Sequence, residues 1–374
     1  MLRTDEAALR WAAQDYGGLV HHRPAAVLRP SDITEISAVL RENTLVVPRG
    51  AGHSLNGQAQ ALGGVVVDMT ALDTVHEVRP DRVIVDAGTK WSDVLRATLP
   101  RGLTPPVLTD YLDLTVGGTL SVGGLGGASQ HFGAQTDNVL ALDVLTPSGK
   151  LVTRGPTDAV LAGRGRNGII VRATLRLVPA PGTVQWHKLR YNSVARLVAD
   201  QRALVTAGSF DYVEGQLKIR DGQRVRELEA VSYRRASLDG LTFDDADTQV
   251  TCYWDFVNRL AAGEPLLRQT GLWDSPHPWS NLFVPDHAVE AVLRHLETEG
   301  PELYSEFGLV LAYPLRPDRI RALTLPDGEL VFLVAALRYA PGDDPEAVRA
   351  MRDANDVLTQ MVLWEGGTHY LDPL

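Results

Sequence analysis

The most restrictive feature of the sequence is the segment TVGGTLSVGGLGGASQHFG at positions 115–133, which contains seven glycines. Because glycine loses more backbone entropy on ordering than any other residue, a regular helix or strand built from this segment would be weak. A flexible linker is one interpretation, but the valines and leucines between the glycines would anchor the backbone, and flexible linkers contain few such residues. We therefore predict that this backbone lies flat against a large ligand. Its amide groups would face that ligand together with the hydroxyls of Thr115, Thr119 and Ser121.

A second glycine-containing loop, RGAGHSLNGQAQ at positions 49–60, lies between the runs TLVVP and GVVVDM, whose β-branched residues are typical of strands. The glycines allow the loop to turn with several N–H groups converging, an arrangement that binds anions. Arg49 adds positive charge nearby. Anion binding does not require His53. An isolated histidine in a loop more often hydrogen-bonds to its neighbours than serves a function.

Length and charge narrow the class of protein. The chain has 374 residues, about right for two domains, and a formal net charge of -10. That charge would repel nucleic acids and anionic membrane surfaces, so we expect neither as a partner. Charged residues interrupt the N-terminus before a signal-peptide core forms, and no run approaches the roughly 20 apolar residues of a membrane span. These features predict a cytoplasmic protein, and the excess of arginine over lysine is typical of a GC-rich bacterial genome.

Several other chemistries are excluded by residue type and spacing. The single cysteine, Cys252, excludes a disulfide framework and a thiolate metal cluster, and its aromatic neighbours favour a place in the core. The ten histidines lack the H-E-x-x-H spacing of zinc hydrolases, and no G-x-S-x-G motif predicts a serine hydrolase. GRGRNG at 163–168 fits a dinucleotide-binding pattern by chance, because a strand rather than a helix follows it.

Periodicity along the first half predicts an α/β unit. Helices are expected at 33–43 and at 90–100, with strands between and after them. Two prolines and a glycine make 178–184 the best candidate for a linker. Beyond it, Asp221-Gly222 predicts the turn of a strand hairpin.

The loop at 49–60 resembles the flavin loop of the vanillyl-alcohol oxidase/p-cresol methylhydroxylase superfamily. More narrowly, it resembles the R-G-x-G-H-S-x-x-G-Q-A motif of cytokinin dehydrogenases. TDYLDLTVGGTLSVGGLGG at 109–127 is similar to the family segment T-D-Y-L-x-L-T-V-G-G-T-L-S. FDYVEG, HPWSNLFVP and THYLDPL resemble motifs of the family's substrate domain. The resemblance follows the same order over nearly the whole sequence.

The resemblance implies FAD as the cofactor. His53 matches the histidine that family members join covalently to the 8α-methyl group of the flavin. Because no cysteine lies near the glycine-rich run, at most one covalent link is expected. The other positions expected to contact the cofactor are Arg49, Gly50, Ala51, Gly52, Ser54, Gln58, Asp110, Thr115, Gly117, Ser121, Leu125, Ile170 and Tyr370.

The resemblance also implies an α+β fold of two domains. An α/β FAD-binding domain of the PCMH type would occupy 1–180, and a substrate domain at 181–360 would have an antiparallel sheet covered by helices. Residues 361–374 would begin a return to the FAD domain. Members of the family continue past YLDPL and carry a longer stretch before GRGRNG, so we expect some flavin contacts to be missing or supplied differently here.

The implied reaction is oxidation of the C–N bond between the N6 nitrogen and the substituent of an N6-substituted adenine. Hydride would pass to flavin N5, and water would hydrolyse the resulting imine to adenine and an aldehyde. Asp110 matches the acid that accepts the amine hydrogen bond, although by itself it would be a turn residue. Glu229 matches a second pocket acid, with a solvent-facing strand position as its alternative. Trp279 and Leu371 match positions that flank a planar substrate, and Trp279 by itself would fit an ordinary core aromatic.

Oxygen, a quinone or another acceptor would then reoxidise the flavin. Two alternatives stay open: a covalent-flavin oxidase of secondary metabolism that acts on another amine or alcohol, and a degenerate flavoprotein that binds a ligand without turnover. Flavin colour that survives acid precipitation would disfavour the degenerate protein. Bleaching of the flavin by isopentenyladenine, but not by simple alcohols, would favour the adenine substrate.

Overall fold

The computed structural model describes residues 2–43, 45–300, 308–340, 342 and 344–370. The protein divides into two compact units. The first contains residues up to Gly124 together with Ala134–Ala180, and the second contains Leu125–Gly133 and the residues from Pro181 onward. The break between Ala180 and Pro181 falls inside the segment 178–184. The expected boundaries placed the whole glycine-rich run in the first domain, whereas part of it packs with the second unit.

One sheet of the first unit is built around three parallel strands. Its order is β1-β2-β4-β3, with β1 antiparallel to β2 and the other pairs parallel. Aspartates cap the two helices of this region, because Asp5 accepts a hydrogen bond from the Ala8 amide and Asp32 from the amides of Thr34 and Glu35. The elements are β1 (Leu2–Arg3), α1 (Glu6–Ala12), β2 (Ala26–Leu28), α2 (Ile33–Glu42), β3 (Val46–Arg49) and β4 (Val65–Asp68).

The other large sheet of the first unit is antiparallel, with the order β5-β6-β10-β8-β9. A short antiparallel pair, β7 and β11, lies outside it. The elements are β5 (Val75–Val78), β6 (Arg82–Asp86), α3 (Trp91–Thr98), β7 (Leu103–Thr104), α4 (Val116–Leu120), β8 (Val139–Leu145), β9 (Leu151–Arg154), β10 (Ile169–Arg176) and β11 (Val178–Pro179).

The second unit is organised by an antiparallel sheet of order β15-β12-β14-β13-β17-β18-β16-β19. Its elements are α5 (Ser129–Phe132), β12 (Thr183–Tyr191), α6 (Val194–Ala207), β13 (Tyr212–Arg220), β14 (Gln223–Ser232), β15 (Asp245–Cys252), α7 (Tyr253–Val257), α8 (Glu264–Gln269), β16 (Ser280–Pro285), α9 (Val289–Glu299), β17 (Leu309–Leu315), β18 (Val331–Leu337), α10 (Pro345–Trp364) and β19 (Thr368–His369).

Helices α6, α9 and α10 cover one face of this sheet. Leu228 of β14 and Phe332 of β18 belong to one buried cluster with Leu197 of α6, Val292 of α9 and Leu358 of α10. Because successive strand residues point to opposite faces, the neighbours of Leu228 point away from the helices. This architecture confirms the predicted α+β fold, with an antiparallel sheet covered by helices in the second part of the sequence.

Several local predictions are confirmed and two are wrong. The helices expected at 33–43 and 90–100 form as α2 and α3, and the hairpin of β13 and β14 turns at Asp221-Gly222 with φ angles of 50° and 72°. Cys252 is exposed rather than buried. The glycine-rich run is not flat, because α4 and α5 form inside it. No helix in the described ranges combines the length and apolar character that crossing a bilayer needs.

Candidate active site

The loop at 49–60 leaves the first sheet where a parallel strand ends, which is the edge where ligands commonly bind in α/β folds. Gly52 has a φ of 76°, a left-handed conformation that favours glycine. Among the described residues, the main-chain N–H groups of Ala51, Gly52 and Ser54 donate to no protein acceptor. A turn with several uncommitted amides forms a concave site for an anionic group such as a pyrophosphate.

The glycine-rich run packs directly against this loop. A Cβ atom at position 50 would collide with the Thr115 hydroxyl, so the Thr115 side chain can pack this closely against the loop only because residue 50 is glycine. Thr115 precedes α4, and the amide of Gly117 donates to the Ala87 carbonyl at 2.7 Å. The structure therefore brings Gly50, Thr115 and Gly117 together, as a cofactor site built from both segments would require.

His53 lies among aromatic rings from two other segments. Its imidazole stacks on Tyr16, with ring centroids 4.5 Å apart and an angle of 20° between the planes. The ring of Tyr111 is 5.0 Å away and tilted by 37°. Asp110 immediately precedes Tyr111 and is half-buried. Asp110, the predicted acceptor of the amine hydrogen bond, and His53, the predicted flavin attachment residue, therefore lie on contacting segments of the same unit.

Asp15 holds the loop at 49–60 in place. This residue was not among those predicted from the sequence. Its carboxylate accepts hydrogen bonds from the Ser54 hydroxyl at 2.9 Å and from the Gly57 amide at 2.7 Å. Burial raises the pKa of Asp15 above its ordinary value in spite of these hydrogen bonds. The carboxylate links Ser54 and Gly57 of the loop in spite of the free-energy cost of its burial. In the sequence, only the position of Asp15 in the run DYGG could have pointed to this role.

The backbone of the same N-terminal segment reinforces the contact. The amides of Tyr16 and Gly17 donate to the carbonyls of Gly52 and Ser54 at 2.8 and 3.0 Å. A side chain at Gly17 would collide with the carbonyl of Leu55. Residues 15–17 therefore fix the conformation of the loop that carries His53.

Arg49 serves the loop in a different way from the one expected. Its guanidinium is buried, lies 4.5 Å from the centroid of the Trp11 ring and donates to the Gln14 carbonyl. Burial lowers the pKa of Arg49, although the charges of Asp15 and Asp68 oppose that shift. A side chain at position 52 would meet this guanidinium, so Arg49 packs directly beside the turn at Gly52.

Asp113 fixes the segment that carries Asp110. It accepts hydrogen bonds from Lys90 at 2.9 Å and from the Ser92 hydroxyl at 2.7 Å, which link the segment to the start of α3. Burial acts to raise the pKa of Asp113, but these hydrogen bonds and the positive charge of Lys90 outweigh it and leave the pKa below its ordinary value. Asp113 therefore stays ionised well below neutral pH.

The remaining predicted cofactor residues are spread more widely. Gln58 accepts a hydrogen bond from the Asn56 amide, and the Ser121 hydroxyl donates to the Gly117 carbonyl. Ile170 is buried in β10 beside Val144 of β8. Leu125 and Tyr370 belong to the second unit.

The predicted substrate residues that the structure describes in the second unit lie on two separate parts of its sheet. Glu229 of β14 is only 4% exposed, so the alternative of a solvent-facing strand residue is wrong. Trp279 is half-buried and immediately precedes β16, separated from β14 by three strands. Tyr370 lies beside β16, since its amide donates to the Asn281 carbonyl at 3.1 Å. Leu371 lies outside the described residues.

Comparison with known proteins identifies two family domains in the chain. Residues 24–155 match the family described as "FAD binding domain", and residues 226–366 match "Cytokinin dehydrogenase 1, FAD and cytokinin binding". An "uncharacterized oxidoreductase ORF5 in fasciation locus" from Rhodococcoides fascians is 39% identical, over 98% of this chain and 88% of its own length. Cytokinin dehydrogenase 10 of Oryza sativa subsp. japonica is 36% identical over 91% and 74%, and cytokinin dehydrogenase 4 of Arabidopsis thaliana is 32% identical over 96% and 82%.

Replacing Asp15 with alanine should loosen the loop at 49–60, because the Gly57 amide and the Ser54 hydroxyl lose their buried acceptor. Losing such a hydrogen bond costs about 1–3 kcal/mol, so we expect hydrogen exchange of amides in the loop to accelerate about tenfold or more. Exchange detected by mass spectrometry on peptides covering the loop measures this directly. Asp81→Ala, at an exposed aspartate, is the control, and equal exchange in both variants would show that Asp15 does not anchor the loop.

Proposed function

The chain belongs to the cytokinin dehydrogenase family of FAD-dependent oxidoreductases, and on that premise we propose that it oxidises the C–N bond between the N6 nitrogen and the substituent of an N6-substituted adenine. The observation that carries the proposal is the contact of His53 with Tyr111 beside the main-chain amides of Ala51, Gly52 and Ser54, which donate to no acceptor among the described residues. This contact brings the loop that would bind an anionic cofactor against the segment that contains Asp110. The products would be adenine and an aldehyde, formed when water hydrolyses the oxidised C–N bond.

The described residues of the first unit fit the cofactor. The amides of Ala51, Gly52 and Ser54 would hold the pyrophosphate, and the close contact of Gly50 with the Thr115 side chain joins this turn to the start of the glycine-rich run. Bound FAD would supply the acceptor for the hydride, which carries two electrons away from the substrate. We further propose that His53 is the covalent attachment point, held in place by the rings of Tyr16 and Tyr111.

Asp110 is the proposed acceptor for the N–H of the substrate amine. A half-buried carboxylate forms a stronger, charge-assisted hydrogen bond than one in bulk water, and it can orient the C–H bond that is broken. The hydrogen bonds of Asp113 to Lys90 and Ser92 keep the Asp110 segment in place during this step. Glu229 of the second unit stays a predicted acceptor for a substrate N–H. Oxygen or a quinone would then remove the electrons.

The proposed substrate class is tested by anaerobic mixing of the purified yellow protein with isopentenyladenine, and separately with simple primary alcohols. We expect the adenine to bleach the flavin and the alcohols to leave it oxidised, because only the adenine offers an amine N–H to Asp110. Bleaching by the alcohols alone would favour an oxidase of different specificity. A protein that keeps its flavin but is bleached by neither class would contradict the proposal.

Replacing Asp110 with alanine should slow flavin reduction roughly 10²–10⁴-fold, the range expected when a positioned proton acceptor is removed. FAD content should change little, because the loop that would hold the pyrophosphate is untouched. Stopped-flow absorbance under anaerobic conditions gives the rate, and the absorbance ratio of flavin to protein gives the content. Asp81→Ala serves as the control, and an unchanged reduction rate in the Asp110 variant would remove this residue from the mechanism.

A further inference from the structure

A row of charged residues crosses three neighbouring strands of the second unit. Glu229 of β14 pairs with Lys188 of β12 on one side and with Glu214 of β13 on the other. Directly opposed residues in an antiparallel sheet share a face, and this face is the one turned away from the helices, because Leu228 and Ala230 belong to the helix-covered core. Two carboxylates are therefore neighbours on a buried surface.

Arg259 lies over both carboxylates. Its Nη2 atom is 3.2 Å from the Glu214 carboxylate, and its Nε atom is 3.4 Å from the Glu229 carboxylate. The same Nη2 donates to the Tyr212 hydroxyl at 2.6 Å, and that hydroxyl in turn donates to Glu214. The guanidinium is held 4.8 Å from the centroid of the Phe256 ring. The backbone position comes from the short 3₁₀ helix Arg259–Ala262, which follows α7.

The other charged groups on this face do not replace Arg259. Lys218 donates to the carboxylate of Glu227 and to the amide oxygen of Gln216, both at 2.6 Å. The ammonium of Lys188 lies 4.1 Å from the centroid of the Trp186 ring. One guanidinium is thus shared by Glu214 and Glu229.

Two adjacent buried carboxylates do not both stay ionised without a counter-charge, because desolvation and mutual repulsion both favour the neutral form. An arginine remains charged in any protein environment and presents several donors in a fixed plane. One arginine shared by the two carboxylates favours the ionised form of both, and a cluster of Glu214, Glu229 and Arg259 in that form would carry one excess negative charge. An ionised carboxylate only accepts hydrogen bonds, whereas a protonated one also donates.

We propose that Arg259 is a positioning residue for substrate recognition: it keeps Glu229 ionised and oriented so that this carboxylate accepts an N–H from a neutral nitrogen heterocycle. This inference rests on the proposed function for the identity of the ligand. A buried ion pair with a purely structural role is the competing explanation, and it predicts lost stability without any pH-dependent change in substrate binding by the folded variants.

The test compares Arg259→Met, which removes the charge but retains the bulk, with Arg259→Lys, which retains the charge. Arg268→Met is the matched control, since Arg268 also pairs with a glutamate and lies over a tryptophan ring but is exposed. Infrared spectra of the substrate-free proteins at neutral pH report protonated carboxyls. We expect Arg259→Met to gain a protonated carboxyl band that disappears in Arg259→Met/Glu229→Gln and persists in Arg259→Met/Glu214→Gln.

The same variants should differ in the pH dependence of substrate binding. Removing the guanidinium raises the pKa of Glu229, so KM for isopentenyladenine in Arg259→Met should be raised at least tenfold at neutral pH. It should recover as the pH rises through the new pKa, while kcat changes much less. Arg259→Lys should retain a pH profile close to that of the parent protein, and Arg268→Met should be unchanged.

Absence of a new carboxyl band, or a band that disappears with Glu214→Gln and persists with Glu229→Gln, would overturn the inference. If Arg259→Met does not fold, the infrared and KM measurements on Arg259→Lys and Glu229→Gln decide it. A Glu229→Gln variant that binds the adenine as tightly as the parent would overturn it. Because the infrared band is measured without substrate, its result is independent of whether the adenine is oxidised. Failure of the proposed function is seen separately, as an unbleached flavin in the parent protein.

Discussion

The close contact of the Gly50 backbone with the Thr115 side chain is the constraint on which the candidate cofactor site depends. Only a residue without a side chain lets the loop at 49–60 reach the Thr115 hydroxyl, and this contact joins the loop to the glycine-rich run. The turn beside it leaves the amides of Ala51, Gly52 and Ser54 without acceptors among the residues that the structure describes. Uncommitted amides beside a parallel strand end are the physical basis for an anionic cofactor.

The two units provide polar groups for ligand binding in different ways. In the first unit, buried Asp15 and Arg49 support the loop from behind, and main-chain groups are left to face a ligand. In the second unit, the polar groups are side chains, since Glu214 and Glu229 share the guanidinium of Arg259 on one face of the sheet. Main-chain amides can bind the phosphates of FAD, whereas charged side chains can select one class of substrate.

The sequence predicted the features that depend on local chemistry. The capped helix α2, the turn at Asp221-Gly222 and the α+β architecture could be read from residue patterns and family motifs. Asp15, Tyr16 and Arg259 could not, because each acts through a partner distant in the sequence, and one sequence by itself holds no signal for such pairs. The expectation of a flat glycine-rich run was wrong because short helical turns there are supported by packing, as when the Trp91 indole donates to the Thr119 hydroxyl at 2.9 Å. Burial of Cys252 was wrong because this residue ends β15 at the edge of the sheet.

The proposed function is tested most directly at the flavin that we propose is attached to His53, by peptide mapping of the purified yellow protein with mass spectrometry. We expect the proteolytic fragment containing His53 to carry the mass of FAD and the His53→Ala fragment to lack it. An unmodified His53 fragment from protein whose flavin is fully released by acid would contradict it. So would flavin attached to the fragment that contains His21 and His22.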